Sequence, residues 1–386
     1  MKNAIGNPAR GEAFYQRNKE IKKIYEILNS KTSIYLAAPR RVGKTSILMY
    51  LEDNPKPGFT FIYIITESVY DKNEFYKIIF EEVLGTDVIK GLAKASAKFQ
   101  QSITGLLDKV KNIKGVELRE GQEPDYYKLI VELFSHVSDK VEHIVIMVDE
   151  FPQTIQNILD KEGSIEAQNF IQSNRQLRHE KNLLKKVSFI YTGSVSLLPL
   201  VEKITELTAI NDLRTLTVEP LSETEAKDFI TALLVNYNIR LNESTMTYTL
   251  NKIRCFIPFH IQLMVQEIID VHESAEGEID NAAIDKAFEQ VVHIRNKPQF
   301  EPYFSRLKKI FKDGDHAFVM ELLQTIAIKN EISKATANDL AVKHGISNFK
   351  FVIETLEGDG YIFKEGDNYY YVSPFLQSWC KKHICQ

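Results

Sequence analysis

The stretch Ala38-Pro39-Arg40-Arg41-Val42-Gly43-Lys44-Thr45-Ser46 decides how the rest of the chain is read. A glycine, four residues and then Gly-Lys-Ser/Thr is the spacing of a loop whose backbone N–H groups cradle phosphates at the start of a helix. In that pattern Lys44 reaches the β and γ phosphates of ATP, or the β phosphate of ADP, and the Thr45 hydroxyl ligates Mg²⁺. Pro39, Arg40, Arg41, Val42, Gly43 and Ser46 complete the nucleotide-contacting window. Ala38 stands where the pattern has its first glycine, a departure that matters only if this residue needs a positive φ. The apolar run at 33–37 reads as a buried strand entering the loop, and 46–51 continues as a helix, so the local context agrees with the motif.

Working outward, residues 59–65, 144–148, 187–191 and 213–218 read as four further strands. Helical patterns separate them, which predicts an α/β fold with a parallel five-stranded sheet in three layers. Strands without alternation suit a sheet covered on both faces. Ile144-Val145-Ile146-Met147-Val148-Asp149-Glu150 delivers an acidic pair to the carboxyl end of a strand, where open α/β sheets bind ligands. Asp149 is expected to hold Mg²⁺ through water, and Glu150 to polarise the attacking water as general base. Alone, such a pair is a solvated strand end; beside the loop at 38–46 it reads as a site. Thr192, in Tyr191-Thr192-Gly193-Ser194, is expected to hydrogen-bond the γ-phosphate or the attacking water, in preference to Ser194. An ordinary strand-end turn accounts for that segment equally well. Arg175, Arg178 and Arg214 are candidates for a charge-neutralising arginine, and no spacing rule separates them.

The chain has 386 residues, a formal net charge of -4, 44% hydrophobic and 26% charged residues. These values suit a globular protein of two or three domains with a core that needs neither metal nor disulfides. Cys255, Cys380 and Cys385 have no zinc-ligand spacing and read as reduced thiols. No apolar run approaches the ~20 residues that span a bilayer, and Met1 to Arg10 has no apolar signal core. The expectation is a cytoplasmic protein with no membrane partner.

The domain reading has three parts. Residues 1–219 form the phosphate-loop domain, with a helical arm inserted at about 85–123; a plain crossover helix over 88–110 fits as well. Residues 220–298 form a helical lid with helices over 223–237, 244–255, 258–274 and 281–292, opened by a Ser222/Glu225 capping box. Residues 299–386 form a winged helix-turn-helix domain. Its helices cover 317–328, 335–344 and 348–359 with Gly345 at the turn, and its hairpin pairs 361–364 with 369–372.

With these residues in hand, the chain resembles the STAND-like branch of the AAA+ P-loop NTPases, and within it the archaeal-type ATPase family. The carrying features are Phe14-Tyr15-Gln16-Arg17-Asn18-Lys19-Glu20, the window at 38–46, Val148-Asp149-Glu150-Phe151, Tyr191-Thr192-Gly193-Ser194 and Val218-Glu219-Pro220-Leu221-Ser222. The resemblance implies a slow ATPase with a helical lid and a C-terminal winged helix. It also implies an adenine site near Gln16 and Arg17, a nucleotide contact from Pro258, and a phosphate-sensing role for His260. Phe256 stands where STAND members usually carry a glycine.

Two functions compete. In one, nucleotide drives a conformational switch whose output is a protein partner or self-assembly into a homo-oligomer. In the other, the winged helix binds DNA, as in replication-origin loaders. Residues 312–386 carry eight Lys against ten Asp and Glu, a net charge of -2, opposite to the electrostatic footprint of a DNA reader. Charge therefore favours the switch. A nucleotide-binding scaffold without turnover is a third reading, against which Glu150 argues.

Overall fold

The computed structural model describes residues 1–115, 124–138, 141–193, 196–274 and 278–385; Ser194 and the last part of the 85–123 insertion lie outside the described residues. The chain divides into two compact units. One comprises Arg17–Ala37 and Ile47–Thr217, the other Met1–Gln16, Ala38–Ser46 and Val218–Gln386.

The first unit contains, in chain order, α1 (Asn18–Asn29), β1 (Ile34–Ala37), α2 (Lys44–Asp53), β2 (Phe59–Ile65), α3 (Lys72–Gly85), α4 (Asp87–Ala95) and α5 (Ala97–Gly115). It continues with α6 (Tyr126–His136), β3 (His143–Asp149), α7 (Phe151–Glu162), α8 (Ser164–His179), β4 (Val187–Thr192), α9 (Leu197–Ile204) and β5 (Arg214–Thr217). The first turn of α2 groups with the second unit. The strands form the expected parallel sheet, in the order β2-β3-β4-β1-β5. Every residue of β3 is buried. Ile144, Ile146 and Val148 join a core with Phe75, Leu133 and Ile155. Val145 and Met147 point to the opposite face and are just as buried. Burial on both faces removes the polar alternation of a half-exposed strand, so the segment is a plain apolar run. Because all strands run the same way, β1, β3 and β4 end on one edge of the sheet, at Ala37, Asp149 and Thr192.

The single helix expected over 88–110 is two helices. Ser96 is extended (φ -139°, ψ 109°), and its hydroxyl accepts the Phe99 N–H at 3.3 Å, so it ends α4 and caps α5. Ile89, Phe99 and Leu106 are buried in the core that α3 and α6 share, which makes this pair part of the packed crossover layer.

The Arg178 guanidinium of α8 binds both oxygens of Asp212, at 2.6 and 2.8 Å, and also Asn174 Oδ1 at 2.9 Å. Arg178 is 7% exposed. Burial pushes the Asp212 carboxyl up, but hydrogen bonding and charge from Arg178 more than offset it and hold the carboxyl below its ordinary value. Arg175 donates to Thr208 O and to Asn211 Oδ1 (3.1 Å). Both arginines therefore tie α8 to the segment that leads into β5, while Arg214 lies exposed on β5 itself.

The second unit is helical up to its C-terminal sheet: α10 (Glu223–Leu234), α11 (Glu243–Ile253), α12 (Pro258–Ser274), α13 (Asn281–Val291), α14 (Lys297–Ile310) and α15 (Asp313–Lys329). Then come β6 (Ile332–Ser333), α16 (Lys334–Lys343), α17 (Phe349–Gly358), β7 (Ile362–Glu365), β8 (Asn368–Tyr371) and α18 (Pro374–His383), with the strands ordered β6-β8-β7 and antiparallel. The Ser222/Glu225 capping box opens α10, and Gly345 (φ 66°) lies between α16 and α17. Three elements escape sequence patterning. Helix α14 carries Pro302 inside it, and proline reads as a helix breaker. Strand β6 has two residues, too few for a period. Helix α18 begins at Pro374 behind a Ser373 cap, in a segment whose apolar residues resemble a frayed tail. The N-terminal segment joins this unit through Asn3, whose amide donates to Gln262 O at 3.1 Å, and through Tyr15, whose ring lies 5.0 Å from that of Phe229.

Truncating one partner of a buried ion pair leaves the other charge uncompensated, at a cost of about 3–5 kcal/mol. Arg178→Ala is expected to lower stability by about that amount, measured by denaturant unfolding. Because the Asp212 carboxyl is held low in the folded state, the pair's contribution is present at neutral pH and fades as the pH falls through that lowered value. The deficit of Arg178→Ala should accordingly shrink in acid.

Candidate nucleotide-binding site

From β1 the chain runs through the loop at 38–43 into α2 at Lys44. The loop residues with positive φ are Arg41 (65°) and Gly43 (104°). Ala38 is not among them, so an alanine there carries no backbone penalty. The left-handed conformation falls instead on Arg41, at a cost of about 1–2 kcal/mol for a residue with a Cβ. The Lys44 ammonium donates to Ala38 O at 2.8 Å and Pro39 O at 3.0 Å and is almost fully buried. The lysine thus lies folded over the loop it follows. Val42 is buried, Thr45 half-buried. The Ser46 hydroxyl accepts the Ala9 N–H at 2.9 Å, so this residue ties the N-terminal segment to the start of α2.

The two loop arginines rest on aromatic side chains of the helical unit. Arg40 donates to Pro302 O at 3.3 Å and lies over the Tyr303 ring, 5.2 Å from its centroid. Arg41 lies over the Phe259 ring at 4.6 Å. Among the described residues no carboxylate pairs with either. Burial pushes the Arg41 guanidinium below its ordinary value. Pro258 opens α12, and the residue that reaches the loop is its neighbour Phe259. His260 is fully buried, with Nδ1 at 3.2 Å from Ser373 Oγ. Burial and the nearby Arg41 charge push its pKa down to about 3. It is neutral at physiological pH and enclosed, which corrects the expectation of a phosphate-sensing histidine: it joins α12 to the cap of α18. Gln16 is exposed, whereas Arg17 is buried and pairs with Glu20 at 3.3 Å, one helical turn on.

At the carboxyl edge of the sheet, Asp149 closes β3 and is 3% exposed. Its Oδ1 accepts the Glu150 N–H at 3.1 Å and its Oδ2 accepts the Tyr63 hydroxyl at 3.1 Å. Glu150 is left-handed (φ 63°, ψ 30°), which turns the chain sharply into α7 and leaves its side chain half-buried at the turn. Buried threonines pin this turn. Thr66 donates its N–H (3.0 Å) and hydroxyl (3.2 Å) to Asp149 O, and Thr154 donates to Thr66 O at 2.8 Å. Gly193 faces the same turn: a Cβ there would lie 2.6 Å from Pro152 Cδ and 3.4 Å from Glu150 Cα, so only glycine allows the close approach. The Thr192 hydroxyl, expected on the γ-phosphate, donates to Leu36 O at 3.0 Å and is fully buried. It joins β4 to β1, and a phosphate contact would require it to leave that carbonyl.

Sequence reasoning missed Tyr63, Thr66 and Thr154. A tyrosine inside a strand rich in aromatic residues looks like core, and only the parallel register of β2 with β3 puts it beside Asp149. Thr66, a polar residue directly after an apolar strand, carried a signal that could have been used. Among the described residues no cluster of three or more His, Cys, Asp or Glu is arranged to hold a metal. A hydroxyl and single carboxylates are hard oxygen donors, the set that suits Mg²⁺ when a nucleotide supplies the remaining oxygens.

Comparison with known proteins bears on the fold. No curated protein sequence matches the chain. A Walker-type ATPase of Pyrococcus abyssi shares the fold with a TM-score of 0.63 at 15% identity, over 98% of this chain and 99% of that one. The ORC2 protein of Aeropyrum pernix, solved with ADPNP and ADP, shares it with a TM-score of 0.54 at 10% identity, over 96% of this chain and 93% of that one. The fold is that of an AAA+-like P-loop NTPase followed by a helical C-terminal region. Residues 19–196, which carry the phosphate loop, the Asp149-Glu150 turn and Thr192, match the model of the predicted AAA-ATPase family.

Proposed function

We propose that the chain is an ATPase whose phosphate loop reports its nucleotide to the helical C-terminal unit, so that the protein acts as a nucleotide-dependent conformational switch. The observation that carries this reading is the state of Arg40 and Arg41. Two adjacent guanidiniums rest on the Tyr303 and Phe259 rings and on Pro302 O, with no carboxylate partner among the described residues. Cations held on aromatic faces gain only about 0.5–2 kcal/mol. Phosphate oxygens offer charge-assisted hydrogen bonds to the same groups, so nucleotide and helices compete for them. Pro39 strengthens the link, because it lies against Gly360, where a Cβ would come within 2.7 Å of its own Cβ.

In this reading the backbone N–H groups of the loop and the Lys44 ammonium hold the phosphates. Thr45 and Asp149 are the oxygen ligands for Mg²⁺, which supplies charge neutralisation at the phosphates. Glu150 orients and deprotonates the attacking water. Thr192 contributes by aligning β4 with β1. Gln16 and Arg17 flank the adenine, and Pro258 seats the start of α12. The chain then divides into an ATPase domain (1–219), a helical lid (220–298) and a winged helix-turn-helix domain (299–386), the last supported by the order of α15, β6, α16, α17, β7 and β8. The output assigned to that domain is a protein contact or self-assembly. Lys350, the basic residue of α17, pairs with Glu354 at 3.7 Å, which leaves that helix poorly suited to DNA.

Lys44→Ala is expected to abolish binding of ATP and ADP, measured by equilibrium fluorescence. Glu150→Gln should keep binding and lose turnover by ~100-fold or more, the scale of a lost general base; unchanged turnover would remove Glu150 from that role. Hydrogen exchange over 297–310 should change when ADP or a non-hydrolysable ATP analogue binds, and Arg40→Ala at saturating nucleotide should blunt that change. A response undiminished in Arg40→Ala would count against the coupling. DNA affinity should stay weak and non-specific; tight binding that falls steeply with salt would replace the protein-contact reading with the DNA-binding one.

A further inference from the structure

The connection between α11 and α12 holds a strained residue beside a cleft. Arg254 follows α11 with φ 53° and ψ -57°, a positive φ whose ψ lies off the left-handed helical well. The Cys255 N–H donates to Ile253 O at 2.6 Å, and the Ile257 N–H donates to Cys255 O at 2.9 Å. Two γ-turns in succession therefore reverse the chain, and the one centred on Arg254 is the strained form. The Leu221 N–H donates to Phe256 O at 3.0 Å, which ties this turn to the segment before α10. Glycine adopts such a conformation without a steric penalty, yet a long cationic side chain stands here. Strain of this kind persists where the surroundings hold a side chain in a place that function needs.

That place is a cleft of about 760 Å³ within the helical unit, a size that suits a small molecule. Arg254 and Cys255 line it together with Phe363 and Tyr370 of the β7–β8 hairpin. Those two rings stack with centroids 5.4 Å apart, and Phe363 is exposed. Among the described lining residues Arg254 is the one charged side chain, and no described residue pairs with its guanidinium. Burial pushes the Cys255 thiol up to about 11, so it stays neutral and adds no negative charge. Glu331, which accepts the Asn368 amide at 3.1 Å and bears on the Tyr370 hydroxyl, is not a lining residue.

We propose that this cleft binds a small organic acid, with its carboxylate or sulfonate on Arg254 and an apolar, ring-sized body against Phe363 and Tyr370. A guanidinium presents parallel N–H donors that match both oxygens of such an anion, and aromatic side chains favour a flat apolar partner. None of the residues assigned above to the nucleotide lines the cleft, so the site stands independently of that reading.

The test is equilibrium binding of the fluorescent acid anilinonaphthalenesulfonate to the full chain, with displacement by naphthoate and by its neutral amide. Binding should saturate at a single site per chain; a signal that rises without saturating is adventitious and overturns the proposal. Naphthoate should displace the probe about tenfold more readily than the amide, the scale of one charge-assisted contact. Equal potency would show that the anionic group plays no part and would overturn the assignment. Arg254→Gln should lose about tenfold in affinity and Arg254→Lys should recover part of that loss; an affinity unchanged in Arg254→Gln counts against the site. Arg254→Gly separates binding from folding. Relieved of backbone strain, it should lose the probe yet melt no earlier than the wild type, whereas a lower melting point would mark the arginine as structural and overturn its role as a ligand contact. Saturating ADP should leave the probe bound; displacement by ADP would put the probe in the nucleotide site and overturn this inference alone.

Discussion

The burial of β3 on both faces is the constraint from which the candidate site follows. A strand enclosed by apolar layers cannot carry a charge along its length, because an unpaired buried carboxylate costs several kcal/mol or shifts to its neutral form. Charge can appear only where the strand leaves the sheet, and there it does, at Asp149. The neighbouring strands run parallel and are joined by crossovers, as in sheets covered on both faces, which puts the ends of β1, β3 and β4 on one edge. Even at that edge Asp149 is almost fully buried, so it needs donors. Tyr63 and the Glu150 N–H supply them, and Thr66 and Thr154 hold the turn in which this occurs. The left-handed Glu150 and the absent side chain at Gly193 belong to the same packing problem.

The phosphate loop obeys a different rule. Its backbone strain lies at Arg41 and Gly43, and its lysine folds onto the carbonyls of Ala38 and Pro39. Its arginines meet ring faces and a helix carbonyl. Helix α14 can offer that carbonyl to an outside donor because a carbonyl oxygen has two lone pairs and serves more than one N–H. The Tyr361 hydroxyl takes the next carbonyl, Tyr303 O, at 2.6 Å, so two successive backbone oxygens of α14 are engaged by other segments of the unit. Contacts of this kind are weaker than a buried carboxylate pair such as Arg178 with Asp212. The chain therefore holds its arginines in two ways: in α8 by a buried carboxylate, and in the loop by ring faces and a helix carbonyl.

The five strands were legible within a residue or so: four are apolar runs, and β5, with Leu216 buried between exposed threonines, alternates. The helices of the C-terminal unit were legible where an apolar stripe repeats, as in α10 and α12, and illegible where proline interrupts it, as in α14. The split of residues 88–110 at Ser96 was hidden because one serine does not disturb a helical period, although its side chain can end one helix and cap the next. His260 misled for a related reason. A histidine after a helix-opening proline resembles a ligand contact, and nothing local reveals that Tyr303, Phe375 and Ser373 enclose it.

The sequence by itself determined the phosphate loop, the acidic strand end and the alternation that makes the sheet parallel, because each depends on residues close together in the chain. Motif spacing, strand apolarity and capping are local, and local chemistry is written in order. Only the tertiary structure decided which helices Arg40 and Arg41 rest on, that the Thr192 hydroxyl is committed to Leu36, and that Tyr63 reaches Asp149 from 86 residues away. Those pairings depend on strand register and helix packing, which bring together residues whose separation in sequence carries no signal. The window Ala38 to Ser46 accordingly announces a phosphate site by itself, while what that site is attached to is fixed by the fold around it.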